Sequence, residues 1–272
     1  MINRFFLCKK TISSMVLLLI AGLFACNSNP RPKEGEPVHI VYTDDINGYQ
    51  VNAWWMPSRV IAEHVVGPAI MHFFRLSDST EFTLTNNNFA LLKERLKAIY
   101  SDGGIELTRL DEQEIFLSYQ QYQSLPDRFG TTQEPFFFED IDFDKKAELL
   151  ITEVGSGQRG IATFKAYRIG EGQMPVYNTI TWQEPFVSLD ELSRVNGRDK
   201  TLTIHHTAGT CWGRDEIYRL QQAPDAYEEN RFVLEKIIEE RKDDATGQCM
   251  ELTYEVKNMT QRKLVSQRVI DP

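Results

Sequence analysis

The stretch Pro135-Phe136-Phe137-Phe138-Glu139-Asp140-Ile141-Asp142-Phe143-Asp144-Lys145-Lys146-Ala147-Glu148-Leu149-Leu150-Ile151 places two short apolar runs on either side of an acidic turn. Each run is too short for a helix and is bounded by turn residues, so both read as buried strands. Asp140, Asp142, Asp144 and Glu148 would repel one another on one strand face. Wrapped into a tight loop, their oxygens converge, and a hard cation that takes six to eight oxygen ligands relieves the repulsion. The metal set read here is Asp140, Asp142, Asp144 and Glu148, with the Lys146 carbonyl as a further ligand, and calcium is the ion. An EF-hand is excluded, because its twelfth position is Ile151 rather than Glu and its flanks are strands. Two other readings stay open. Lys145 and Lys146 could neutralise the carboxylates in an ion-free turn, or the run could be solvated.

Working outward, strand signals recur at short spacing. Val38–Tyr42 and Tyr49–Trp55 flank Asn47-Gly48, a strong hairpin turn pair. Further candidates are 69–75, 81–85, 114–119, 161–169, 176–181, 201–206 and 216–220. The last three, 232–238, 250–256 and 263–270, read as a meander, although 233–240 also fits a helical period. Phe89, Leu92, Leu96 and Ile99 recur at helical spacing behind Asn88 and before Gly103-Gly104, so one short helix is expected near 88–100. The expected fold is all-β and propeller-like, with a β-sandwich as the alternative.

The chain has 272 residues and a formal charge of −9. An acidic balance excludes a nucleic-acid binder, which needs clustered Lys and Arg. The N-terminus sets the compartment. Arg4, Lys9 and Lys10 precede the apolar run Met15–Phe24, which is shorter than the roughly 20 residues of a spanning helix and reads as a secretory signal. Leu23-Phe24-Ala25-Cys26 resembles a bacterial lipobox, so residues 1–25 are expected to be removed and Cys26 lipidated. The mature chain then has 247 residues and a charge of −12, since the removed segment carries those three cations and no acid. Residues 26–37, with Pro30, Pro32 and Pro37, read as a tether reaching roughly 34 Å in extended form. Residues 38–272 form a single β-rich domain. The expected location is the outer membrane, facing periplasm or surface, with the lipid as the only membrane contact.

Cys8 leaves with the signal and Cys26 takes lipid. Cys211 and Cys249 remain, an even pair in an oxidising compartment, so a disulfide is expected that stabilises by roughly 4 kcal/mol. A zinc site with His205 and His206 is the competitor, but the spacing fits no common zinc pattern.

The Phe-Glu-Asp-Ile-Asp-Phe-Asp run followed by Glu-Leu-Leu-Ile resembles the calcium loops of FG-GAP and VCBS-type β-propellers. Phe129 to Tyr167, with Gly155-Ser156-Gly157-Gln158-Arg159, is similar to a family of bacterial lipoproteins. That family includes immunity proteins that inhibit lysozyme-like effectors of type IV secretion. The resemblance covers about residues 129–270, and the late cysteine pair and meander fit it. Lys145 stands where related loops place glycine. The resemblance implies a non-enzymatic protein that binds and inhibits a peptidoglycan hydrolase. Gly155, Ser156, Gly157, Gln158 and Arg159 are the candidate insertion loop, and Tyr167 lines the same surface.

Other motifs are weaker. Gly155 to Gly160 spells G-x-G-x-x-G, but a dinucleotide site needs a helix next and a strand is read there. No G-x-S-x-G or H-E-x-x-H occurs. Glu228-Glu229 and Glu239-Glu240 read as solvated faces, and of Trp54-Trp55 at least one is packing. The alternative function is a surface lipoprotein that binds glycan or a host protein, with a glycosidase third. Exposed aromatics beside acidic pairs in one cleft favour the glycan and enzyme readings.

Overall fold

The computed structural model describes residues 37–96, 114–120, 134–155, 161–170, 177–179, 184–222, 231–257 and 261–271. The signal, Cys26 and the rest of the tether up to residue 36 lie outside the described residues. Among the described residues there is no α-helix, and sixteen strands form three sheets. The first sheet holds β1 (Val38–Tyr42), β2 (Tyr49–Trp55), β3 (Arg59–Ile61), β4 (His64–Arg75), β5 (Glu81–Leu92) and β6 (Glu114–Leu117). The second is the meander β7 (Phe136–Glu139), β8 (Glu148–Glu153), β9 (Thr163–Ile169) and β10 (Tyr177–Thr179). The third runs in chain order through β11 (Arg194–Asn196), β12 (Thr201–Gly209), β13 (Trp212–Gln221), β14 (Arg231–Lys242), β15 (Cys249–Lys257) and β16 (Gln261–Ile270).

The apolar runs that decide the fold form the middle layer. Phe136, Leu149 and Ile151 belong to the core shared with the first sheet, where Trp55, Phe73 and Phe89 are buried. Phe137, Leu150 and Phe164 point the other way, into a second core with Leu202, Ile204 and Tyr218 of the third sheet. Strand side chains alternate between faces. A strand covered on both faces therefore reads as a continuous apolar run, as Phe136-Phe137-Phe138 and Leu149-Leu150-Ile151 do.

The all-β expectation holds, and the layered packing fits the sandwich alternative. Among the described residues the sheets hold six, four and six strands. Strand spacing reports how many strands there are. It does not report where the hydrogen-bonded ladder breaks between one sheet and the next.

The expected helix near 88–100 is corrected. Residues 88–92 continue β5, a 3-10 turn follows at Lys93–Leu96, and 97–100 lie outside the described residues. The misleading period has a specific cause. Gly67 of β4 faces Phe89 while Ala69 faces Asn86, so β5 carries one extra residue at a bulge. The bulge moves the buried set from Phe82, Leu84 and Asn86 to Phe89 and Leu91, and such a phase change imitates helical spacing. Asn86 holds the bulge. Its amide donates to the Thr152 carbonyl of β8 (3.2 Å), and its Oδ1 accepts the Asn88 N–H (2.8 Å). Asn86→Ala removes both bonds and is expected to cost about 2 kcal/mol in denaturant unfolding.

The Asn47-Gly48 turn forms as expected. Both residues have positive φ (52° and 82°), and Ile46 and Tyr49 exchange two backbone hydrogen bonds across it. The alternative helix at 233–240 is strand β14.

Candidate functional site

The loop between β7 and β8 gathers three of the predicted acids. Carboxylate oxygens of Asp140, Asp142 and Glu148 lie within 4.8 Å of one another. Local chemistry shapes the turn. Asp140 Oδ2 accepts the Lys145 N–H (3.0 Å), Asp142 Oδ1 accepts the Asp144 N–H (3.2 Å), and Glu148 Oε2 accepts the Ile141 N–H (3.0 Å). Phe143 and Lys145 take left-handed backbone, φ 64° and 72°. Each is disfavoured for a side chain with a Cβ, by about 1–2 kcal/mol. Lys145 thus adopts the conformation for which glycine is suited. Asp144 is exposed and outside the group of three, its Oδ1 accepting the Lys146 N–H (2.7 Å).

The cluster carries charge that burial opposes. Burial, with Asp142 close by, pushes the Glu148 carboxyl up to about 8. Burial also raises Asp140, whose Oδ1 is buried and has no hydrogen-bond partner. Arg168 of β9 reaches the cluster and donates to Asp142 Oδ2. A carboxylate has about four lone-pair sites, so the bonds made here leave acceptors for a cation. The donor set suits a hard, oxygen-seeking ion. Sequence reasoning looked to Lys145 and Lys146 for the neutralising charge and missed Arg168. The register signals it: Tyr167 pairs with Leu149, so the next residue of β9 lies beside the start of β8.

Of the predicted binding loop only Gly155 is described, just past the end of β8 that lies away from the acidic turn. The β8–β9 ladder runs from Leu149↔Tyr167, beside the acidic turn, to Glu153↔Thr163, beside Gly155. Gly155 has φ +71°, a turn conformation. Ser156, Gly157, Gln158 and Arg159 lie outside the described residues. Tyr167 is half-buried and packs against the first core. It is four residues from Thr163, roughly 13 Å along the strand.

Cys211 and Cys249 form a disulfide, with Cα atoms 5.3 Å apart. The zinc competitor is thereby removed: both sulfurs are committed, and the His205 ring meets Asp215 (Nδ1–Oδ1 2.5 Å). Trp55 is buried, whereas Trp54 is 46% exposed and stacks on His39 with ring centroids 4.3 Å apart. Glu228 and Glu229 lie outside the described residues. Glu239 accepts a bond from Arg262 (3.1 Å).

Fold and site define a layered all-β protein with an acidic turn at the base of its central hairpin. No protein-family model matches the chain, and no curated protein matches it. Among solved structures it is similar to one described as a Xanthomonas type IV secretion system related protein. The TM-score is 0.52 at 15% identity, over 87% of this chain and 97% of that one. At that identity the likeness is one of fold.

Proposed function

We propose that this chain is a lipid-anchored protein of the bacterial envelope that binds and inhibits a lysozyme-like effector of type IV secretion. It acts by binding and is not an enzyme. The observation that carries this reading is the shared fold, across nearly the whole of both chains, with a protein described as type IV secretion related. The tip of the β8–β9 hairpin, Gly155 to Arg159, enters the effector's cleft, where Ser156, Gln158 and Arg159 offer donors to catalytic carboxylates. Calcium, held by Asp140, Asp142 and Glu148 with Asp144 and the Lys146 carbonyl completing the shell, ties the base of that hairpin. A stiff base lowers the ordering cost of binding. A mature charge of −12 steers the protein toward a basic hydrolase that works on an acidic wall polymer.

The test is a peptidoglycan-hydrolysis assay with purified mature protein, against a lysozyme panel and any hydrolase encoded beside it. Inhibition is expected. Arg159→Ala is expected to weaken it by roughly 30-fold, the effect of losing an interfacial arginine hot spot. Absence of inhibition and of binding across the panel defeats the reading.

A further inference from the structure

A second site lies on the third sheet, away from the hairpin. Its inner face begins as core: Leu202 and Tyr218 form one cross-strand pair, and Ile204, Glu216 and Ile237 the next row. Ile204 and Ile237 are buried. One row further the face changes character, with His206, Arg214 and Glu239 directly opposite one another across three strands. Beyond them Trp212 pairs with Arg241. These side chains and Glu184, which precedes a 3-10 turn at Phe186–Ser188, line a cleft of about 470 Å³. That volume falls within the range of small-ligand clefts, ~300–1,000 Å³.

The chemistry of the lining is mixed and mutually paired. Glu216 sits between Arg214 and His206 (Nε2–Oε2 3.8 Å) and accepts the Tyr218 hydroxyl (2.8 Å). The His206 contact leads the influences that hold the Glu216 carboxyl down at about 2. Burial, with Glu216 close by, raises Glu184. Glu216 is thus held as an anionic acceptor, with the Glu184 carboxyl beside it on the same cleft. Arg214 Nε is buried with no hydrogen-bond partner. Trp212 is 49% exposed at the cleft, and the Cys211–Cys249 disulfide ties the turn that carries it to β15.

Four acids, Glu184, Glu216, Glu239 and Glu240, against Arg214, Arg241 and His206 leave no positive field for an anionic ligand. They do offer many directional donors and acceptors. An exposed indole adds a flat apolar wall. We infer that this cleft binds a short neutral oligosaccharide, one pyranose ring stacking on Trp212 while Glu216, Arg214 and Glu184 hydrogen-bond its hydroxyls. The site shares no residue with the hairpin, so it stands or falls apart from the hydrolase reading.

Isothermal titration of the mature protein with N-acetylglucosamine tetramer and with cellotetraose tests it, with no hydrolase present. At least one is expected to bind with Kd of roughly 1 mM or tighter. Trp212→Ala, a half-exposed position whose loss the fold tolerates, is expected to weaken binding about ten-fold. Glu216→Gln is expected to weaken it as well, and Trp54→Ala on the first sheet to leave it unchanged. Melting temperatures confirm that each variant is folded. The inference is overturned if neither sugar binds at about 10 mM, if folded Trp212→Ala binds like wild type, or if only an anionic probe such as trigalacturonate binds.

Discussion

Millimolar calcium is expected to raise the melting temperature of the mature protein, and to raise it more at pH 8 than at pH 5. The calcium site proposed above makes this expectation, and the sign follows from Glu148. Without an ion its carboxyl is pushed up to about 8 from an ordinary 4.5. The folded state therefore holds that proton more tightly than the unfolded chain does. This contribution to stability is complete below pH 4.5 and is lost as pH rises from 4.5 to about 8. Calcium needs the carboxylate, so at pH 5 it competes with a proton and at pH 8 it does not. An ion present at 100 times its Kd stabilises by about 2.7 kcal/mol. For a chain of this size that is roughly 5–10 °C. Asp142→Ala removes one of the converging oxygens and should melt alike with calcium and with chelator. Scanning calorimetry at both pH values reads the effect. Coincident wild-type melting with calcium and with chelator at pH 8 rules calcium out.

How much of this could be read from the residues depends on whether the cause was local. The Asn47-Gly48 turn is local, because two consecutive residues with positive φ need that dipeptide. The middle layer is nearly as legible, since strands covered on both faces leave uninterrupted apolar runs. The acidic turn is legible as a convergence of Asp140, Asp142 and Glu148, but its cation Arg168 comes from 26 residues beyond Asp142. Only strand register brings them together. The cleft on the third sheet is less legible still. His206, Arg214 and Glu239 come from three strands, and each reads alone as an ordinary surface charge. Glu239 in particular looks like half of a solvated acidic pair until its row is known. The β5 bulge shows the opposite failure, a local pattern that carries the wrong period because one unpaired residue shifts the phase of the strand.

Phe137→Ala is expected to cost about 3–5 kcal/mol, the range for emptying a fully buried aromatic site. The loss should fall on one side of the molecule first. Phe137 is completely buried and meets Phe164 edge to face, with ring centroids 5.1 Å apart. Both belong to the core that joins the middle layer to β12 and β13 through Leu202, Ile204 and Tyr218. Phe136, its chain neighbour, points into the other core, against Tyr42 and Phe73. A cavity at 137 therefore loosens the third sheet's seat while leaving the first sheet's contacts in place. Hydrogen exchange under native conditions separates the two sides. Protection of β12 and β13 amides should fall further than that of β2 and β4, as expected when layers open as distinct units. Equal loss on both sides would show that the three sheets unfold as one cooperative body. A cost below ~1.5 kcal/mol would show that the second core collapses around the missing ring.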